Sequence, residues 1–291
     1  MPTAAPGTLT VVATPLGDAR DLSPRAAAAL READLIVAED TRSARRLLAE
    51  VGATGAAPVL SCFDANEAAR AAEVAERLSA GARVALVSEA GTPLVSDPGY
   101  RVVAAAIAAG ARVVPIPGPS AVLAALVGAG LPSDRFLFLG FPPRKTGGRR
   151  RLFESLRALP FTLVFYESPL RVGATLADLA DVLGSGRPAC VARELTKSHE
   201  EFVRGTLGAL AARYREQRPL GEVTLVVGGA IDAGAADDDE AEAALADRAR
   251  RLIAEGKSAR DVADELAATT GRPRRELYRL VLAAKGGPSG L

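Results

Sequence analysis

Two segments of this chain hold ionisable residues where a strand hands over to a loop. VSEAGTPLVSDPGYR, from Val87, sets Glu89, Ser96 and Asp97 among two glycine-containing turns. So polar a segment is costly to order unless its backbone has partners. A small-molecule site lined by main chain would supply them. ARELTKSHEEFVRGT, from Ala192, crowds Arg193, Glu194, Lys197, His199, Glu200 and Glu201 into one turn, the densest ionisable cluster in the sequence. His199 alone reads as an exposed loop residue. Glu194 and Lys197 are stronger candidates, because strand ends are where groups converge on a cleft.

Four further segments carry weaker signals. ATPLGDARDLSPRA, from Ala13, ends a strand in a Pro-Leu-Gly turn at which Gly17 allows close backbone approach. It lacks the GxGxxG dinucleotide fingerprint and, alone, reads as an ordinary strand-to-helix turn. PIPGPSAVLAAL, from Pro115, is a stiff elbow, either a hinge or a helix N-terminus aimed at a cleft, with Ser120 as N-cap. FYESPLRV, from Phe165, offers Tyr166, Glu167 and Arg171; the arginine suits a carboxylate or a surface ion pair. PPRKTGGRRR, from Pro142, flanks a Thr-Gly-Gly expected to be mobile with Arg144, Lys145, Arg149, Arg150 and Arg151. Such a loop is either solvated surface or a set of phosphate contacts. Arg272, Arg274, Arg275 and Lys285 repeat the theme near the C-terminus.

Composition narrows the chemistry. One histidine and two cysteines give no basis for a His-rich metal site, a Ser-His-Asp triad or a disulfide framework, so no metal is expected. Cys62 and Cys190 read as small buried residues of a reducing compartment. The net charge of +1 does not announce a nucleic-acid partner, so any basic surface must be local. No apolar run reaches the roughly 20 residues of a membrane helix. MPTAAPGTLTVV has neither the basic segment nor the apolar block of a secretory signal. A cytoplasmic location, with no membrane partner, is the expectation.

The elements that must position these residues alternate. Strands are expected at 8–13, 35–38, 58–62, 83–88 and 112–116, with helices at 24–33, 41–50, 67–80 and 100–109 between them. Ser23 would cap the first helix, with Pro24 at its first position. This pattern implies a mainly parallel sheet covered on both faces. The next stretch mixes a helix at 121–127, a strand at 136–141, a helix at about 150–159, a strand at 162–166, a helix at 172–183, and strands at 189–193, 200–206 and 222–227. The predicted fold is α/β: one lobe over 1–116 and a second over 117–230. An acidic linker at 231–243 then leads to a helix-turn-helix-like module at 244–286, with helices at 245–253, 259–267 and 274–283.

AEDTR at Ala38, SEAGTPLVSDPG at Ser88, PIPGPSA at Pro115, FYESPLR at Phe165 and RELTKSHEEFVRG at Arg193 occur in order. Together they resemble the ribosomal small-subunit RNA methyltransferase I family, within the tetrapyrrole-methylase-like class III methyltransferases. The resemblance runs from about Thr8 to Val227, and the C-terminal helices resemble the family's small helical appendage. It implies two α/β lobes with S-adenosyl-L-methionine in the cleft between them, a homodimer, and 2′-O-methylation of a 16S rRNA cytidine in the small ribosomal subunit. By matching position, the cofactor pocket would include Leu16, Gly17, Ser88, Glu89, Ala90, Gly91, Ser120, Ala121, Tyr166 and Glu167. Two places depart from the family's pattern: Glu89 stands for an aspartate, and Asp64 and Ala65 stand where histidines are usual.

A ribose hydroxyl is a poor nucleophile near neutral pH, so a general base is expected. The candidates are Glu89, Asp97, Glu194 and, if neutral, Lys197. Arg144, Lys145, Arg149, Arg150 and Arg151, with Arg274 and Arg275, are the expected RNA contacts. The rival readings are a tetrapyrrole C-methyltransferase of the same superfamily and a non-catalytic RNA-binding ribosome-assembly factor. The first would need neither the basic segment nor the helical module, and the second would need no cofactor pocket.

Overall fold

The computed structural model describes residues 7–53, 55, 57–230 and 233–285, with 233–243 described as backbone. The first residues of the N-terminal segment, the start of the expected linker and position 286 of the expected module lie outside the described residues. The chain divides into two units, Met1–Ala230 and Ile231–Leu291.

Within the first unit, five short apolar runs form a parallel sheet. They are β1 (Thr8–Val12), β2 (Leu35–Ala38), β3 (Val59–Ser61), β4 (Arg83–Val87) and β5 (Arg112–Ile116), in the order β3-β2-β4-β1-β5. Side chains alternate across a strand, and the two faces are covered accordingly. Ile36, Ala38, Ala85 and Val87 pack with Ala26, Leu30, Ala44 and Leu48 of α1 (Pro24–Glu32) and α2 (Thr41–Glu50). Leu35, Val37, Val84 and Leu86 pack with Val74, Leu78, Val102 and Ala106 of α3 (Glu67–Ser79) and α4 (Tyr100–Ala108). Ser23 caps α1, its Oγ accepting from the Ala26 N–H at 3.1 Å. Because β1 lies between β4 and β5, the chain crosses over it, and a crevice opens beyond the carboxyl ends of β1 and β4.

The second sheet is mixed. It contains β6 (Phe136–Phe138), β7 (Thr162–Glu167), β8 (Pro188–Arg193), β9 (Glu201–Thr206) and β10 (Val223–Val227), ordered β6-β7-β10-β8-β9. Only the β6–β7 pair is parallel; the other pairs are antiparallel. One face carries α5 (Ala121–Ala129) on Val164, Cys190, Ala192 and Val226. The other face carries α6 (Thr146–Leu156), α7 (Val172–Leu183) and α8 (Leu207–Glu216) around Phe153, Phe165 and Leu225. Both cysteines are buried, and burial pushes the Cys62 thiol up to about 11, so it stays protonated.

Four sequence expectations are corrected here. The strand expected at 136–141 ends at Phe138, because Gly140 turns with φ 61° and Pro142 and Pro143 follow. The helix expected from 150 begins at Thr146, so the Thr-Gly-Gly is its first turn and not a mobile loop. Helix α8 was not expected; Thr206 caps it, its Oγ1 accepting from the Ala209 N–H at 3.3 Å. The segment expected as an acidic linker is helical from Ala233 onward, as part of α9 (Ala233–Ala254). Alanine, the strongest helix former, recurs through this segment.

The second unit is a set of helices with its own core. Ala249 and Leu252 of α9 meet Val262, Ala263 and Leu266 of α10 (Ala259–Thr270) and Leu277 and Val281 of α11 (Arg274–Lys285). Ser258 caps α10, and Gly271 closes it in the left-handed conformation at φ 70°.

Candidate active site

The loop after β4 is tied to the end of β1. The Thr14 N–H donates to the Gly91 carbonyl at 2.8 Å, and the Gly91 N–H returns to the Thr14 carbonyl at 3.0 Å. The Ser88 hydroxyl adds a bond to the same Gly91 carbonyl at 3.2 Å. Gly91 has φ 82°, and a Cβ there would lie 3.1 Å from Leu16 Cδ2. Thr92 donates to the Pro119 carbonyl at 2.9 Å, which joins the loop to the elbow that starts α5. Among the described residues four non-glycine residues, Leu94, Ser96, Glu194 and Thr196, hold positive φ. All four lie in the two segments whose residue types suggested chemistry, where strained backbone is characteristic of a functional site.

These ties enclose a cavity of about 390 Å³ lined by Leu16, Glu89, Asp97, Ser120, Tyr166 and Thr224, among others. Phe138 and Phe141 wall in Tyr166, with ring centroids 4.9 and 5.5 Å from its own. Burial and then the nearby Asp97 push the Tyr166 hydroxyl up to about 12, so it is a donor at all ordinary pH. Burial also raises Asp97 to about 6, partly opposed by a hydrogen bond from Ser88 and reinforced by Glu89. Glu39 is raised by burial and by the negative charges of Asp97 and Glu89. The cavity is therefore an acidic one. Among the described residues no group of His, Cys, Asp or Glu is arranged to hold a metal ion.

A second cavity of about 530 Å³ adjoins the first and shares Leu16, Glu89, Ala90 and Glu222 with it. Its other walls include Gly17, Ser43, Arg46 and Lys197. The aliphatic stem of Lys197 passes against Gly17, where a Cβ would be 2.2 Å from Lys197 Cγ. The Lys197 ammonium donates to Glu194 at 2.9 Å and to Glu222 at 3.1 Å. Burial pulls the ammonium pKa down, but these two carboxylates outweigh it and hold the lysine above its ordinary value. The hydrogen bond from Lys197, with that from the Glu222 N–H, holds Glu194 below the usual glutamate range.

Of the four base candidates, Glu89 and Asp97 face the acidic cavity, and Glu89 alone borders both cavities. Lys197 is a cation bonded to two acids, so its expected role as a neutral base is withdrawn. Glu194 is its ion-pair partner, which makes it a weaker proton acceptor than an ordinary glutamate. Among the expected cofactor residues, Leu16, Glu89, Ala90, Ser120, Ala121, Tyr166 and Glu167 line the first cavity, while Gly17 and Ser88 line the second. The Glu167 carboxylate is inside the protein, accepting from Thr175 at 2.6 Å and from the Ser168 N–H at 2.8 Å. It also pairs with Arg171 at 3.2 Å, and Arg171 donates to the Pro142 carbonyl at 2.6 Å. Glu39 and Glu222 were not expected. Glu39 lies within the quoted AEDTR, directly after β2, and that strand-end position is the signal that could have found it.

The basic run splits. Arg149 is 5% exposed, and its guanidinium grips Asp178 with an Nε–Oδ2 distance of 2.7 Å. Arg150 bridges Asp178 at 3.2 Å and Asp181 at 3.0 Å. Arg149 is thus removed from the expected RNA contacts, because the first turn of α6 points it into the α6–α7 interface. Arg144, Lys145 and Arg151 remain exposed. In the second unit, Arg275 is exposed and Arg274 pairs with Asp264 on the surface.

Residues 8–211 match the tetrapyrrole (corrin/porphyrin) methylase family model. Over 287 residues, 97% of this chain and 98% of the relative, the sequence is 46% identical to the ribosomal RNA small subunit methyltransferase I of Mycobacterium tuberculosis. It is 45% identical over 279 residues to the protein of the same name from Synechocystis, covering 95% of this chain and 98% of that one. The chain belongs to the ribosomal RNA small subunit methyltransferase I family. Solved structures agree on the fold. The uroporphyrin-III C-methyltransferase of Thermus thermophilus in complex with S-adenosylhomocysteine is 21% identical, with a TM-score of 0.54, covering 76% of this chain and 97% of that one. Membership makes the chain an S-adenosylmethionine-dependent methyltransferase, and the donor set of the acidic cavity fits that cofactor, a sulfonium cation with an ammonium group. Among the described residues no helix is long and apolar enough to cross a membrane.

Proposed function

We propose that the chain methylates the ribose 2′-hydroxyl of a cytidine in 16S rRNA of the small ribosomal subunit, acting as a cytoplasmic homodimer. One observation supports the reading most: an acidic cavity suited to a cationic cofactor shares the wall Leu16–Glu89–Ala90 with a second cavity that carries Lys197 and Arg46. In the second cavity Lys197 is paired with Glu194 and Glu222 and the wall also carries Glu50 and Glu89, so a phosphate of the acceptor would be met at Arg46, which has no ion pair among the described residues. The relatives' shared name, over nearly the full chain, supports the same substrate.

In the first cavity Leu16, Ala90, Ser120, Ala121, Tyr166 and Thr224 would hold S-adenosylmethionine, with Asp97, Glu39 and Glu89 facing its positive charge. The cofactor supplies a methyl group already activated by sulfonium. The protein's own contribution is orientation of the acceptor and removal of its proton. Glu89 is the proposed base, because it borders both cavities and a base must reach the proton it takes. Lys197, fixed by Glu194 and Glu222, positions the acceptor from the other side.

The test is transfer of labelled methyl to purified small ribosomal subunits lacking the modification, followed by nuclease mapping. Label on a cytidine ribose is the expected result. Label elsewhere, or none from an enzyme that binds the cofactor, would overturn the reading. Light scattering that returned a monomer would overturn the dimer.

A further inference from the structure

Arg149 is buried against Asp178, and the exposed Arg144, Lys145 and Arg151 line neither cavity, so phosphate contacts beside the acceptor cavity fall to other residues. We propose that the outer face of α2 supplies them, with Arg42, Arg45 and Arg46 contacting successive phosphates at the mouth of the second cavity. This inference rests on the reading of the substrate as RNA.

The sequence TRSARRLLAE places three arginines at i, i+3 and i+4, a spacing that brings side chains to one side of a helix. Ala44 and Leu48 occupy the opposite side and are buried against the parallel sheet. All three arginines are exposed. The acids nearby leave them in excess. The Asp40 carboxylate caps the helix, accepting from the Arg42 N–H at 2.6 Å and the Ser43 N–H at 3.3 Å, and lies 3.8 Å from Arg42 Nε. Glu50, exposed on the same side, is the remaining acid of the helix. Arg45 and Arg46 have no ion pair among the described residues.

Position singles this patch out from other exposed arginines. Ser43, Arg46, Leu47 and Glu50 are walls of the second cavity, so α2 is both the rim and part of the lining. Inside the cavity Lys197 is paired with Glu194 and Glu222, so the unpaired positive charge lies on the α2 rim. A strand whose phosphates lie along α2 would therefore deliver a nucleotide to the side of Glu89 opposite the cofactor. Arg42, Arg45 and Arg46 are positioning residues, since none reaches the reacting atoms.

The experiment measures binding of a single-stranded oligoribonucleotide to the full chain across a salt series. The variant is Arg42→Gln/Arg45→Gln/Arg46→Gln, and the control is Arg77→Gln/Arg215→Gln/Arg218→Gln, which removes equal charge at exposed positions elsewhere in the same unit. Glutamine keeps good helix propensity, and S-adenosylmethionine binding reports that each variant is folded. The α2 variant is expected to bind at least about tenfold more weakly and to lose about 2 from the slope of log K against log salt, at about 0.7 per phosphate contact. The control is expected to keep the wild-type slope. Equal slopes for wild type and the α2 variant, or equal losses in both variants, would overturn the α2 surface while leaving the RNA reading intact. A wild-type chain with no salt-dependent RNA affinity would overturn both. Polyglutamate binding as tight as RNA would reassign the surface to an acidic polypeptide.

Discussion

Gly17 and Lys197 meet so closely that any side chain at position 17 would occupy the space of the lysine stem, 2.2 Å from a Cβ to Cγ. The glycine of the first strand-end turn therefore fixes where the cation of the last motif stands, although 180 positions separate them. Gly17→Ala is expected to dislodge Lys197 from Glu194 and Glu222, and to cost about 1–3 kcal/mol as an overpacking change. Chemical denaturation measures the stability loss. Methyl transfer should fall more than cofactor affinity, because Lys197 lies in the second cavity. Unchanged stability and activity would show that the stem moves aside freely.

Asp97 sets a pH dependence. Its folded pKa, about 6, lies above the ordinary aspartate value of 3.8. The folded protein thus holds a proton that the unfolded chain releases between those values, and stability conferred by that protonation is lost as pH rises through about 6. Asp97→Asn should therefore raise the melting temperature of the cofactor-free protein above pH 6, with the gain vanishing below about pH 4. Cofactor binding has the opposite sign: a cation favours the ionised carboxylate, so affinity should increase as pH rises through 6. The Asn variant should bind more weakly and lose that dependence. Calorimetric titration from pH 5 to 8 checks both statements.

Arg149 is a structural residue. Removing one partner of a buried ion pair strands the other, so Arg149→Ala should destabilise the fold by about 3 kcal/mol. Arg151→Ala, at an exposed position, should change stability by less than about 0.5 kcal/mol. Denaturant midpoints separate the two. A near-neutral Arg149→Ala would return that residue to the pool of RNA contacts.

Glu67 joins the loop after β4 to α3. Its Oε1 accepts from the Gly99 N–H at 2.8 Å and the Arg101 N–H at 2.9 Å, capping α4 from a neighbouring helix. Glu67→Ala should cost about 1–2 kcal/mol, the scale of a lost cap, and should weaken cofactor binding by loosening Asp97. Glu67→Gln, which retains an acceptor, should recover most of both. Equal losses in the two variants would show that charge matters here more than the cap.

Much of this was legible because parallel α/β folds place function where strands end. The expected bounds of β2, α2, β5 and α7 coincide with the observed ones, since their apolar runs are sharply delimited and Asp40 caps α2. Glu89, Asp97 and Tyr166 were marked by their place at strand ends, and Glu89 and Tyr166 also by the family resemblance. The misreadings have a common physical source. A run such as GGRRR declares its charge but not which turn of a helix it sits on, and one helical turn decided that Arg149 faces Asp178. Likewise Lys197 is visible as a cation in a polar cluster, but Glu222, which helps keep it charged, comes from β10's edge, far along the chain. Helix α8 did have a signal in the sequence: Leu207, Leu210, Ala211 and Tyr214 follow the i, i+3, i+4, i+7 spacing of a buried helix face, and Thr206 caps it.

The most direct measurement is single-turnover methyl transfer by Glu89→Gln on unmodified small subunits, alongside its cofactor affinity. If Glu89 stands between donor and acceptor and takes the proton, the rate should fall by roughly 100-fold or more while the cofactor still binds. A wild-type rate would contradict the division of the site at Glu89.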